Sequence, residues 1–87
     1  MSVNESVRYV FSSRPYSSDL IKNYLRNFGE NFVDAFLAEL RNGEFIDNQR
    51  FNSLIEDIFG FYKSRDPKTS NSISRKLRSV EKLLNLD

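Results

Sequence analysis

The stretch Leu20-Ile21-Lys22-Asn23-Tyr24-Leu25-Arg26-Asn27-Phe28-Gly29-Glu30-Asn31-Phe32-Val33-Asp34-Ala35-Phe36-Leu37-Ala38-Glu39-Leu40 carries two apolar stripes. Whether they share one helix decides the fold. Leu20, Ile21, Tyr24, Leu25 and Phe28 form the first stripe at helical spacing; Phe32, Val33, Phe36, Leu37 and Leu40 form the second. Positions 20, 24, 28, 32, 36 and 40 are each four apart, and every step of four overshoots a turn by about 40°. Five such steps rotate the stripe by about 200°, which would turn a straight helix away from its own core. The arithmetic predicts two helices with a break at Gly29-Glu30, where glycine can take a left-handed backbone that ends many helices. One bent helix is the alternative, since glycine inside a helix costs only about 1 kcal/mol.

Toward the N-terminus, Ser17 is placed to cap the first of these helices, with Asp19 in its first turn and Tyr16 and Ile21 as a hydrophobic staple. Val7-Arg8-Tyr9-Val10-Phe11 has the β-branched and aromatic composition of a short strand, and Ser12-Ser13-Arg14-Pro15 breaks it. No second strand follows to pair with it. Residues 1–16 are therefore expected to be an extended arm packed on the helices, and residues 17–87 a single helical domain.

Toward the C-terminus, Gly43 closes the second helix. Asp47 caps a third, with Ile46 and Phe51 as its staple, and Phe51, Leu54, Ile55, Ile58 and Tyr62 repeat at i, i+3, i+4, i+7 and i+11. Phe59 and Phe61 widen that stripe. Ser64 to Ser70 reads as a polar connection containing Pro67. The last helix is expected from about Asn71 to Leu84, with the seam Ile73, Leu77, Val80 and Leu84. The fold class expected is all-α, a small bundle of about four helices with an N-terminal extended arm.

Composition narrows the chemistry. The 87 residues suit one domain and contain no Cys and no His. That removes thiolate and imidazole metal ligands, thiol nucleophiles and the commonest general base. The three glycines stand apart at positions 29, 43 and 60, so no phosphate-binding loop exists. Glu56 and Asp57 are neighbours and point about 100° apart on a helix, too divergent to act as a facing pair. No enzyme and no cofactor is expected. No apolar run approaches the roughly 20 residues that span a bilayer, so a cytoplasmic protein with no membrane partner is expected.

The net charge of +1 hides an asymmetry. Residues 1–60 carry six basic and nine acidic groups; residues 61–87 carry seven basic and three acidic ones. Arg75, Arg78 and Lys82 align on one side of the last helix with Lys76 at the margin, a candidate basic recognition face. Solvated charge is the plainer reading of such a face. Ser72-Ile73-Ser74-Arg75-Lys76-Leu77-Arg78 loosely resembles the recognition helix of helix-turn-helix DNA-binding domains, which makes nucleic acid a possible partner. The connection expected here, Lys63 to Ser70, is longer than the usual turn of that motif and lacks its glycine.

Aromatic residues make up 14% of the chain. Tyr9, Phe11, Phe45, Phe59, Phe61 and Tyr62 exceed what four short helices need inside, and surplus aromatics at a surface mark an interface. Ala35 and Ala38 would permit close approach by another helix. A helix, then Asn42-Gly43-Glu44-Phe45, then another amphipathic helix loosely resembles the front half of colicin-type immunity proteins. Those inhibitors tend to be acidic and this chain is not, so no membership is assigned. The function expected is a small regulatory or adaptor protein acting by protein–protein contact and forming a homo-oligomer. The alternative is a nucleic-acid-binding protein using its basic C-terminal helix.

Overall fold

The computed structural model describes residues 1–12, 16–44 and 46–84, with residues 83 and 84 described by their backbone alone. The described residues form five helices and no strand: α1 (Val3–Phe11), α2 (Ser18–Phe28), α3 (Glu30–Arg41), α4 (Asn48–Tyr62) and α5 (Pro67–Leu84).

The all-α class holds, and the arm is corrected in one respect: its Val3–Phe11 segment is helical, not extended. Ser2 and Glu5 make a reciprocal capping box, each side chain reaching the other's backbone N–H. Val3, Ser6, Val7 and Val10 recur at helical spacing, and Ser6, Val7 and Val10 are buried. The Ser6 hydroxyl donates to the Val3 carbonyl at 2.6 Å, so its burial leaves no polar group orphaned. Cap and burial together override the strand preference of the side chains.

The break at Gly29 is real. Gly29 has φ 61° and ψ −141°, a conformation outside both helical regions that glycine alone adopts readily. Its N–H closes α2 on the Leu25 carbonyl at 2.8 Å, and its carbonyl accepts from Phe32 N–H at 3.1 Å to open α3. One residue thus ends one helix and begins the next.

Gly43, at φ 95°, ends α3 as expected. The Glu44 N–H reaches the Glu39 carbonyl and the Gly43 N–H reaches the Leu40 carbonyl, both at 3.1 Å, the paired bonds of a Schellman motif. Ser17 and Asp47 cap α2 and α4 as expected, accepting from Leu20 and Arg50 N–H.

The last helix starts earlier than its apolar pattern indicates. Pro67 stands at its first position, where a missing N–H costs nothing, and Asp66 accepts from the Thr69 N–H at 3.2 Å and from the Thr69 hydroxyl. The proline begins this helix where it was expected to lie in a connection.

The most extensive packing pairs α2 with α4, α1 with α3 and α3 with α5. Helix α3 is therefore central, and its Phe32, Val33, Phe36, Leu37 and Leu40 are all buried. The Phe36 ring lies 5.2 Å from that of Phe11 and 6.2 Å from that of Phe51, joining α1, α3 and α4. The radius of gyration is 12.0 Å, matching the roughly 12 Å of a well-packed domain of this length.

Candidate functional site

Because α5 begins at Pro67, Lys68 joins the basic face. Lys68, Arg75 and Lys82 are spaced at i, i+7 and i+14, and Arg78 lies beside them; all four are exposed. The stripe is opposite the buried seam of Ile73, Leu77 and Val80. No side chain of the four forms a hydrogen bond or ion pair with a described residue, though Lys68 lies close enough to Asp66 to help hold that carboxyl below its usual range. Pro67, Asn71 and Ser79 are the other exposed positions of α5 among the described side chains. Periodicity reasoning missed Lys68 because it read Pro67 as a stop signal. The Asp66-Pro67 pair, a cap followed by a first-position proline, was the signal that would have found it.

Lys76 is separated from this face. Its ammonium bridges Asp34 at 2.7 Å and Glu30 at 3.0 Å, both on α3, and these contacts raise its pKa above the ordinary lysine value. Lys76 fastens α5 to α3.

The aromatic candidates are mostly drawn inward. Tyr62 is buried, and Phe11, Phe59 and Phe61 pack partly buried against the core. Phe61 meets the Tyr62 ring edge-on at 5.0 Å, and its own ring lies under the Arg65 guanidinium at 4.5 Å. Tyr9 is half-buried, and Phe45 lies outside the described residues. Among the described residues Met1 is the one large hydrophobic side chain that stands exposed. Ala35 is partly buried against the core, and Ala38 is exposed.

An open groove of about 410 Å³ runs between the starts of α2 and α4, lined by Tyr16, Ser18, Asp47, Arg50 and Asp57 among others. Its most reactive groups are occupied. Asp47 caps α4, and Arg50 donates to the Val10 carbonyl at 3.4 Å and to the Ser12 carbonyl. Burial pushes the Tyr16 phenol above its usual range, so it stays protonated at neutral pH. Among the described residues no cluster of three or more acidic, His or Cys side chains forms that would hold a metal ion. No described helix is long and apolar enough to cross a membrane.

The α4–α5 connection is short, Lys63–Asp66, so the length that separated this region from a helix-turn-helix in the sequence is absent from the structure. Compared with known proteins, the chain matches no family model, and no curated protein or solved structure matches it significantly.

Proposed function

We propose that the chain is a small non-enzymatic adaptor that binds an acidic protein surface through the solvent face of α5. The observation that carries this reading is the exposed stripe of Lys68, Arg75, Arg78 and Lys82, none of whose side chains forms a hydrogen bond or ion pair with a described residue. Arg75 with Arg78, and Arg78 with Lys82, are like-charge neighbours at i+3 and i+4, each destabilising a helix by about 0.2–0.5 kcal/mol. Lys68 adds a cation to the first turn, where the helix dipole disfavours one. A face shaped for stability alone would interleave acids. A partner supplying the carboxylates explains why this one does not.

The homo-oligomer expected from the aromatic residues rests on less than the sequence suggested, since Tyr62 is in the core and Phe11, Phe59 and Phe61 pack against it. Nucleic acid is the second reading, favoured by the four-residue connection before α5. Against it, a chain of net +1 that concentrates four cations on one stripe leaves the remainder at −3, which would repel a long polyanion.

Affinity capture from cell extract with and without nuclease tests the proposal, using the parent and a variant with all four cations changed to Gln. A protein partner that survives nuclease and is lost from the variant is the expected result. Retention lost with nuclease supports the second reading, and a gel shift then gives a log–log salt slope near −0.9 per phosphate contact. Equal capture by parent and variant overturns both. Surface changes of this kind shift stability by only about 0.5 kcal/mol each, so the variant folds.

A further inference from the structure

We infer that the partner presents an α-helix with carboxylates at seven-residue intervals, laid lengthwise along α5. This rests on the protein-binding reading above and specifies the partner's geometry. Lys68, Arg75 and Lys82 are separated by seven residues each, about 10.5 Å of helix rise per step. A straight helix drifts only about 20° per heptad, so the three cations form a line nearly parallel to the axis, about 21 Å long. Carboxylates seven apart on another helix have the same 10.5 Å repeat. Those on one face of an extended strand repeat at about 6.6 Å or its multiples and fall out of step.

The face between the cations holds Asn71 and Ser79 and no apolar side chain, so the contact is made by charge and hydrogen bonds. Arg75 and Arg78 supply planar forks suited to carboxylates, and Lys68 and Lys82 supply point charges at the ends.

The complementary helix lies outside these 87 residues. No two acidic residues of this chain lie seven apart: the positions seven beyond Glu5, Asp19, Glu30, Asp34, Glu39 and Glu56 are Ser12, Arg26, Leu37, Arg41, Ile46 and Lys63. A second copy has no matching row to offer.

The test uses two helical peptides of three heptads and identical composition, one with Glu at every seventh position and one with the Glu residues displaced around the helix. Binding is read by fluorescence anisotropy at low salt. The in-register peptide is expected to bind at least about tenfold more tightly, a difference of about 1.4 kcal/mol. The K68Q/R75Q/K82Q variant, checked for a melting curve that superposes on the parent's, should lose that preference. Equal binding of the two peptides overturns the helical register while leaving an acidic protein partner in place. Binding of neither peptide overturns the inference. If a DNA duplex is bound instead, the protein-binding reading falls with it.

Discussion

Tyr16 and Arg50 hold each other from both directions: the tyrosine hydroxyl donates to the Arg50 carbonyl at 3.3 Å, and the Arg50 guanidinium sits 5.9 Å from the tyrosine ring centre. The same guanidinium donates to the carbonyls of Val10 and Ser12, satisfying groups that the end of α1 leaves open. One side chain therefore ties the end of α1 and the approach to α2 to the first turn of α4.

Replacing Arg50 by Met should cost about 1.5–3 kcal/mol, the range for hydrogen bonds to a charged group. In a domain this small each kcal/mol lowers Tm by about 4–8 °C, so circular-dichroism melting resolves the change. Arg50→Lys should recover only part of it. Both bonds leave from the one nitrogen Nη1, so an ammonium can donate twice, but the shorter lysine lacks the planar group that faces the Tyr16 ring. Full recovery by lysine would show that charge alone matters there.

Two glycine substitutions should act in opposite directions. Gly29→Ala forces a side chain onto φ 61°, and since nothing lies within 4 Å of the added Cβ the cost is purely conformational, about 1–3 kcal/mol. Gly60 lies within α4 with equally open space and an ordinary φ, so Gly60→Ala should stabilise by about 0.5–1 kcal/mol. Urea titration of both variants checks the signs.

Two ionisable groups set limits at opposite ends of the pH scale. The pKa of Lys76 is raised above 10.5, first by its hydrogen bond to Asp34 and then by that to Glu30, so its contribution is complete below 10.5 and lost as pH rises through the folded value. That of Asp66 is held below 3.8, first by the Thr69 hydroxyl, so its contribution is complete above 3.8 and lost as pH falls through the folded value. Thermal melts from neutral to alkaline pH should show Lys76→Met converging on the parent in strong alkali. Thr69→Val should converge on it only in strong acid.

Phe36 bridges three helices through its contacts with Phe11 and Phe51, and its side chain is fully buried. Phe36→Ala should cost about 3–5 kcal/mol. The whole domain holds about 4–13 kcal/mol at 0.05–0.15 kcal/mol per residue. A Tm lowered by about 12–40 °C at 4–8 °C per kcal/mol, followed by near-ultraviolet dichroism, is the expected outcome.

Much of the core was legible because its residues recur at helical spacing between readable caps. Ser17, Gly29, Gly43 and Asp47 each sit where their conformation or side chain is needed. The α1 segment was misread because Val7, Tyr9, Val10 and Phe11 favour strands as residue types, while the Ser2–Glu5 box and the Val3, Val7, Val10 spacing carry the opposite message. Lys76 could not be told from Arg75 and Arg78 by spacing, since its partners Glu30 and Asp34 lie more than forty residues away. The fate of Phe11 was equally hidden, because it depends on where α3 places Phe36.

The pairing of each helix with the next but one governs how the chain must fold. Neither α1 with α2 nor α4 with α5 is among the most extensive contacts, so no consecutive pair forms a self-sufficient hairpin. A nine-residue helix such as α1 is too short to persist alone in water, where about 12–15 residues are needed. Its order has to come from α3, against which α5 also packs. Closure over long sequence separations then precedes the packing that rewards it, which places folding at the slower end of helical domains. Since both outer helices lean on the same central one, loosening α3 releases them together. Amide exchange in α1, α3 and α5 should therefore approach a single opening free energy.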